Sequence, residues 1–318
     1  MKTSMMKVFA GTANPKLAEA IAEHLDHPLC EINVGRFPDG EISVKVEEDV
    51  RGSDVFIIQP TCPPVNDNLV ELLTMVDCFR RASAGRITAV MPYYGYARQD
   101  RKDEGRTPIT AKLVANLIYG AGTNRVLTMD LHAGQIQGFF DIPVDNLMAR
   151  PVFIDYLKSI GGENIVALAP DVGSSKRALA YAKKMHCEIA IVEKRRESGD
   201  KVHIGHIIGD VQGKTIIIPD DIIATGGTMA EAAKEAKKNG AGDIYLAATH
   251  GLFCGNAFDK LGGAPLKEIL VTDTINHDVN GNGSRFAEMN IQVLSVAPLL
   301  GEAIDRIHHD KSVSFLFR

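Results

Sequence analysis

The stretch best suited to chemistry runs from Asp220 to Thr228, where two carboxylates precede a Thr-Gly-Gly-Thr turn. A β-branched run that begins at Thr215 leads into it, and a helical pattern over Met229–Asn239 follows it. In a strand–turn–helix of this kind, the amides of the turn and the N-terminus of the helix point at one place. The stretch therefore predicts a site for a small anion.

The turn itself consists of Thr225, Gly226, Gly227 and Thr228. The two glycines let a ligand approach the main chain without meeting a Cβ atom, and the two hydroxyls add hydrogen-bond donors. These features fit a phosphate dianion, and we call the turn Thr225–Thr228 the phosphate loop. The alternative is an ordinary turn with a capping threonine, and the adjoining pair of carboxylates argues against it.

That pair is Asp220 and Asp221, and the pattern predicts that the strand ends at them. Ligands of open α/β sheets bind at the carboxyl ends of the strands. Carboxylates at such a place accept hydrogen bonds from vicinal hydroxyls or bind the waters of Mg²⁺. A phosphate site beside acceptors for a diol predicts ribose 5-phosphate as the ligand.

Three further clusters carry chemistry. The turn Arg36–Glu41 presents an aromatic ring and acidic groups. The loop Pro92–Lys102 combines tyrosines with cations, which suits stacking on a purine and neutralising phosphates. Asp130 and His132 follow an apolar strand and share one face, where they could meet the metal of a nucleotide. A surface turn, a solvated loop and a core histidine are the respective alternatives.

A run of cations, Lys194-Arg195-Arg196, follows the predicted strand Glu188–Val192. It should therefore lie at the end of a strand, beside a ligand cleft. The segment Ser198–Asp200 that follows suggests a loop able to close over substrates. A solvated turn is the alternative for a charged run of this length.

Short apolar runs alternate with amphipathic ones along the whole chain. Lys7–Gly11, for example, is followed by a helical face that carries Leu17, Ile21 and Leu25. Strands that alternate with helices predict an α/β fold with mostly parallel sheets covered by helices on both faces.

The chain also repeats itself. The tripeptide Cys30-Glu31-Ile32 recurs at Cys187, Asp49-Val50-Arg51-Gly52 resembles the stretch that starts at Asp210, and Ala84-Gly85 recurs at Ala241, each about 160 residues later. This order predicts two similar domains, 1–148 and 149–318, with a turn-like seam near residues 146–151. The C-terminal tail is expected to pack back on the N-terminal domain.

Composition narrows the class of protein. With 318 residues, 45% hydrophobic and 24% charged, the chain is globular and long enough for two domains. A net charge of −5 argues against nucleic acid as the main partner. No apolar run reaches the ~18 residues of a membrane span, and Lys2 and Lys7 interrupt any signal peptide. Five scattered cysteines suit a reducing compartment, so a cytoplasmic location is expected.

Together these stretches resemble the ribose-phosphate pyrophosphokinase (phosphoribosyl pyrophosphate synthetase) family, in its class I bacterial form. Phosphoribosyltransferases share only the phosphate loop, so the other segments favour the synthetase. The resemblance rests on Arg36–Glu41, Tyr94–Arg101, Asp130–Asp141, Lys194–Arg196, Asp220–Thr228 and the tail Ser312–Phe317.

The resemblance implies two phosphoribosyltransferase-like domains and the transfer of diphosphate from ATP to the C1 hydroxyl of ribose 5-phosphate, with release of AMP. Lys194 and Arg196 match the catalytic cations, and His132 and Asp171 match the Mg²⁺ ligands. The ATP-binding positions match Phe37, Asp39, Gly40, Glu41, Arg98, Gln99 and His132. The ribose 5-phosphate positions match Arg196, Asp220, Asp221, Thr225, Gly226, Gly227 and Thr228. A homohexamer that is activated by phosphate and inhibited by ADP is also implied, with no nucleic acid or membrane partner.

One position departs from the family pattern. The family loop usually carries a third aspartate where this chain has Ala224. Two other functions stay open at this point: a phosphoribosyltransferase, and a non-catalytic regulatory relative of the synthetase, for which Ala224 is the support.

Overall fold

The computed structural model describes residues 4–160, 164–196, 202–278 and 283–317. They form two compact units: unit 1 contains the described residues of 1–148, 274–276 and 295–318, and unit 2 contains those of 149–273 and 277–294. Among the described residues, no helix combines the length and apolar character that crossing a bilayer requires. The C-terminal helix and tail thus belong to the unit that contains the first strand, Met6–Ala10.

The regular elements are numbered along the chain. The strands are β1 Met6–Ala10, β2 Ile32–Arg36, β3 Ile42–Val46, β4 Asp54–Ile58, β5 Arg86–Met91, β6 Arg125–Met129, β7 Val144–Leu147, β8 Ile165–Ala169, β9 Glu188–Arg196, β10 Val202–Ile208, β11 Thr215–Ile223, β12 Ile244–Gly251, β13 Glu268–Thr272 and β14 Ile291–Leu294. The α-helices are α1 Pro15–His24, α2 Val65–Arg81, α3 Thr110–Ala121, α4 Arg150–Ile160, α5 Ser175–Met185, α6 Gly227–Lys238, α7 Ala257–Gly262, α8 Gly283–Glu288 and α9 Ala297–His308.

The two units share one strand order. The sheet of unit 1 runs β1-β4-β5-β6-β7, all parallel, with β2 and β3 as a separate antiparallel hairpin. In unit 2 the order β8-β11-β12-β13-β14 repeats this plan in parallel, and β9 and β10 extend the sheet beyond β8. The predicted α/β fold with two similar, mostly parallel sheets is confirmed. Whether the units fold separately, with a boundary at residue 148, stays a prediction.

Local sequence explains the elements that frame the sites. Helix α1 begins where the Asn14 side chain accepts a hydrogen bond from the amide of Leu17 at 3.3 Å, with Pro15 in the first turn. Every residue of β4 is buried, as expected for a central parallel strand covered on both faces.

Several boundaries differ from the sequence-based expectation, among them the end of β9, which lies at Arg196 instead of Val192. The pair Thr107-Pro108 predicts the start of a helix, but α3 begins at Thr110, and the residue before a proline is disfavoured in helical conformation. The turn-like seam contains strand β7, and helix α4 begins at Arg150. Strand β11 does not end at the two carboxylates but continues to Ile223, because its pairing with β12 extends beyond them.

Candidate active site

In unit 1 the parallel strands β4, β5 and β6 end at one edge of the sheet, where ligands of α/β folds bind. A cavity of about 690 Å³ opens beside the loops that follow β4 and β5. It is lined by Pro64, Val65, Asn66, Asp67, Tyr93, Tyr96, Ala97, Arg98 and Gln99. Arg98 and Gln99, two of the predicted ATP-binding residues, are therefore brought together here.

The loop after β5 is held in place by close main-chain contacts. A Cβ atom at Gly95 would lie 2.5 Å from the carbonyl oxygen of Thr61, and the Gly95 amide donates to the Thr61 hydroxyl at 2.7 Å. The amide of Gln99 donates to the carbonyl of Tyr96 at 2.9 Å, and the Gln99 side-chain oxygen accepts from the Thr110 hydroxyl at 2.5 Å. These contacts fix the main chain on both sides of Arg98, whose side chain is exposed.

The predicted turn at residues 36–41 is the tip of the β2–β3 hairpin. The amide of Phe37 donates to the carbonyl of Glu41 at 2.8 Å, and Gly40 has φ +92°, which glycine adopts most readily. The Phe37 ring is 53% exposed, and Asp39 is exposed as well. At the base of the tip, Arg36 pairs with Asp67 at 2.9 Å, and Asp67 lines the cavity.

His132 lies just after β6 and is exposed, outside the lining of the cavity. Asp130 has a left-handed backbone with φ +41°, and its amide donates to the carbonyl of Leu147 at 2.8 Å. The amide of Leu131 donates to the side chain of Asn146 at 3.1 Å. Strand β7 thus positions the main chain that carries His132.

In unit 2 the phosphate loop lies at the end of β11. Gly226 caps α6 with φ +69°, and a Cβ atom there would lie 2.8 Å from Leu261. Gly227 differs: its φ lies outside the left-handed range, and a Cβ atom would meet only Lys260, whose ammonium nitrogen would be 3.7 Å away. The fold itself therefore does not need glycine at 227, although a ligand would.

The start of α6 has several features that favour the binding of an anion. In the part of the chain that the structure describes, no acceptor is recorded for the amides of Gly227, Thr228 and Met229, as is typical of a first helical turn. The first turn contains no acidic residue, and Thr225 and Thr228 are exposed. Open amides, the positive end of the helix dipole and the nearby Lys260 ammonium favour a phosphate group.

The two carboxylates before the loop are held by an arginine that no motif in the sequence reveals. Arg177, in the first turn of α5, forms an ion pair with Asp220 and a second with Asp221 at 2.9 Å. The side chains of Asp220 and Asp221 are only 14% and 6% exposed. A guanidinium fork that spans two carboxylates fixes both of them in one orientation.

The burial of Asp220 also changes its protonation. Desolvation, followed by a hydrogen bond to Asp221, raises the pKa of Asp220 to about 8, although the charge of Arg177 opposes the shift. Two buried carboxylates with one guanidinium are expected to share a proton near neutral pH. A diol or a metal ion that binds here therefore competes with that proton.

Asp171 follows β8 and could take a metal ion that arrives with a nucleotide. Its Oδ1 accepts from the amide and the hydroxyl of Ser174, both at 2.9 Å, and no described contact engages Oδ2. The described residues contain no group of three His, Cys, Asp or Glu side chains that could hold a metal by themselves. Mg²⁺ is commonly held by one or two carboxylates together with substrate phosphates, so this donor set fits it.

Lys194 and Arg196 are the remaining predicted site residues. Their backbone lies in β9, which pairs with β8 on one side and β10 on the other. Their side chains, and the predicted closing loop at Ser198–Asp200, lie outside the described part of the chain.

The chain matches two family models. The N-terminal domain of ribose phosphate pyrophosphokinase matches residues 6–122, and the phosphoribosyl synthetase-associated domain matches residues 199–318.

Curated relatives match over nearly the whole length. A protein from Rhodopirellula baltica named ribose-phosphate pyrophosphokinase is 56% identical over 98% of each chain. One of the same name from Caldanaerobacter subterraneus subsp. tengcongensis is 52% identical over 99% of this chain and 98% of the relative. The crystal structure of phosphoribosylpyrophosphate synthetase from Mycobacterium smegmatis is similar with a TM-score of 0.89 and 38% identity, and covers 96% of this chain and 100% of that one.

Proposed function

The chain belongs to the ribose-phosphate pyrophosphokinase family, and we propose that it transfers diphosphate from ATP to the C1 hydroxyl of ribose 5-phosphate, giving 5-phosphoribosyl 1-diphosphate and AMP. One observation carries the sugar-phosphate half of this proposal. The amides at the start of α6 are open, and Gly227 leaves room for a ligand that the fold does not fill.

The ribose 5-phosphate site is built around that loop. The amides of residues 227–229 and the hydroxyls of Thr225 and Thr228 bind the 5-phosphate, and Gly226 gives the turn its shape. Asp220 and Asp221 accept hydrogen bonds from the ribose hydroxyls. The buried ion pairs with Arg177 support this role, because they hold both carboxylates still before the sugar binds.

The ATP site uses the residues of unit 1. Arg98 and Gln99 line a cavity of about 690 Å³, a volume within the ordinary range for small-molecule sites. The exposed ring of Phe37 offers a stacking surface for a purine, and the acidic groups beside it can accept from an amino group. Proposed ATP contacts are therefore Phe37, Asp39, Gly40, Glu41, Arg98, Gln99 and His132.

Mg²⁺ is the proposed cofactor, with His132 and Asp171 as ligands. When bound, the ion neutralises charge on the nucleotide phosphates. Lys194 and Arg196 are the proposed catalytic cations, and Arg196 also contacts the sugar phosphate. Transfer of this kind depends mainly on positioning and on stabilising charge at non-bridging oxygens as the C1 hydroxyl oxygen attacks the β-phosphorus.

A nucleotide assay separates the proposal from its alternatives. Protein, ATP, Mg²⁺ and ribose 5-phosphate are mixed, and the nucleotides are separated by chromatography, with ribose replacing ribose 5-phosphate as the control. The proposed activity forms AMP and no ADP. A phosphoribosyltransferase leaves ATP intact and consumes phosphoribosyl diphosphate with a base, whereas a regulatory relative converts neither.

Ala224 gives a prediction for the sugar site. Ala224→Asp is expected to lower KM for ribose 5-phosphate roughly fivefold, because a carboxylate that accepts from a ribose hydroxyl contributes about 1 kcal/mol. Ala224→Asn is the matched control, with the same shape and no charge, and should have a smaller effect. Steady-state kinetics at saturating ATP measure both. Unchanged KM in the aspartate variant would show that position 224 makes no contact with the sugar.

The assembly and location are also part of the proposal: a cytoplasmic homohexamer, activated by phosphate and inhibited by ADP. Ile109, Leu113 and Leu117 lie four residues apart at α3 and are 37%, 54% and 44% exposed, which supports a subunit contact there. Leu113→Glu is expected to reduce the mass measured by mass photometry, with the exposed Lys183→Glu as control. A monomeric wild-type protein contradicts the hexamer.

A further inference from the structure

The segment that follows β12 runs beside the end of β11. Its first three amides donate to the main chain that leads into the phosphate loop. Leu252 and Phe253 both donate to the carbonyl of Ile223, at 2.9 and 3.1 Å, and Cys254 donates to the carbonyl of Ala224 at 2.8 Å. The two residues that immediately precede Thr225 are therefore held from the side by a second segment.

Phe253 gives this segment its shape. Its backbone is left-handed, with φ +47°, a conformation that a bulky residue keeps only when packing enforces it. The ring is 7% exposed and stacks on Phe258 with centroids 4.9 Å apart and planes 15° apart. The ring of Phe286 meets it edge-on at 5.4 Å. A Cβ atom at Gly251, two residues earlier, would lie 2.6 Å from the ring, so this glycine leaves the ring the space it needs.

The same segment contacts the loop a second time. It leads into α7, which carries Phe258 in the stack and Leu261 one turn later. Leu261 packs against Gly226, since a Cβ atom there would lie 2.8 Å from its Cγ. The loop is thus fixed before its first threonine by hydrogen bonds and at its first glycine by a side chain.

We propose that Phe253 is a positioning residue for the 5-phosphate site: its ring keeps the segment after β12 in the conformation that holds Ala224 and Gly226. This inference rests on the proposed function of the loop. Loss of the ring frees the segment, so that the loop must be ordered when the sugar phosphate binds. Binding of ribose 5-phosphate then weakens, whereas ATP binding and the chemical step change little.

The test compares Phe253→Leu with Phe153→Leu. Phe153 is a fully buried phenylalanine of α4 in the same unit, outside the aromatic stack, so both variants replace a buried ring by leucine. We expect KM for ribose 5-phosphate to rise about tenfold in Phe253→Leu only, with kcat and KM for ATP within about twofold of wild type. Unchanged KM in Phe253→Leu, or an equal rise in Phe153→Leu, overturns the proposal.

A direct measurement of ribose 5-phosphate binding tests the role of Phe253 independently of the proposed enzymatic activity. Isothermal titration calorimetry with ribose 5-phosphate is expected to show the same tenfold loss of affinity in Phe253→Leu, whether or not AMP is formed. If wild type binds the sugar phosphate but makes no AMP, the catalytic assignment fails and the positioning role stands. If Phe253→Leu does not fold, Phe258→Leu, which removes the stacking partner, must show the same selective loss.

Discussion

Gly227→Ala is expected to lower kcat/KM for ribose 5-phosphate on the order of 100-fold while the melting temperature stays the same or rises slightly. The two effects have opposite physical origins. The added methyl group meets no protein atom closer than 3.7 Å, and alanine restricts the unfolded chain more than glycine does, so the fold tolerates it. The sugar phosphate, however, must approach the amides at the start of α6, and the methyl group occupies that space.

The control for this prediction is Gly262→Ala. Gly262 lies at the end of α7, where a Cβ atom would meet only Met289 at 3.9 Å, so an added methyl group has similar room there and contacts no residue of the loop. Steady-state kinetics and thermal unfolding of both variants, beside wild type, provide the comparison. Wild-type kcat/KM in Gly227→Ala would show that no ligand approaches this glycine and that the phosphate site lies elsewhere.

Arg177→Met is expected to cost about 3 kcal/mol of unfolding free energy at pH 9 and roughly half of that at pH 6, because it leaves two buried carboxylates without their cation. The kcat/KM for ribose 5-phosphate should fall at least tenfold, since the carboxylates lose their fixed orientation. Lys183→Met is the control: it removes the same charge from an exposed position on the same helix.

The pH dependence follows from the direction of the pKa shift. The pKa of Asp220 is raised to about 8 from an ordinary value near 4, so between these values the native protein holds a proton that the unfolded chain has lost. This group therefore makes the protein less stable as pH rises from about 4 to 8. Without Arg177 the pKa rises further, and the stability deficit of the variant grows with pH. Chemical denaturation at a series of pH values measures it; a deficit that does not grow contradicts the assignment.

Much of the fold follows from patterns along the chain. The repeated tripeptide at Cys30 and Cys187 predicts two similar units, and the strand orders β1-β4-β5-β6-β7 and β8-β11-β12-β13-β14 confirm it. The pattern is informative because a buried parallel strand requires a continuous apolar run, and each crossover requires an amphipathic helix. The phosphate loop could be predicted for a similar reason, since its strand, turn and helix are consecutive in the sequence.

The contacts that hold the carboxylates and the phosphate loop from distant segments were not predicted. Arg177 is 43 residues from Asp220 along the chain, and the sequence around Arg177 does not indicate which residues it contacts. One signal was present: a cation in the first turn of a helix is unfavourable unless acidic groups offset it. The β-branched pair Ile222-Ile223 likewise indicated that β11 continues beyond the two carboxylates. The proposed role of Phe253 depends on its left-handed backbone and on the rings of two helices, α7 and α8. No spacing along the chain reveals these features.

We expect a diphosphate group to move as one piece from ATP to a sugar phosphate bound at the start of α6. ATP labelled with ³²P at the β-position follows this transfer. After incubation with Mg²⁺ and ribose 5-phosphate, the label is expected in the sugar product with unlabelled AMP beside it, and Gly227→Ala should transfer about 100-fold less at low ribose 5-phosphate. Label that remains in ADP, or in unchanged ATP, contradicts the account.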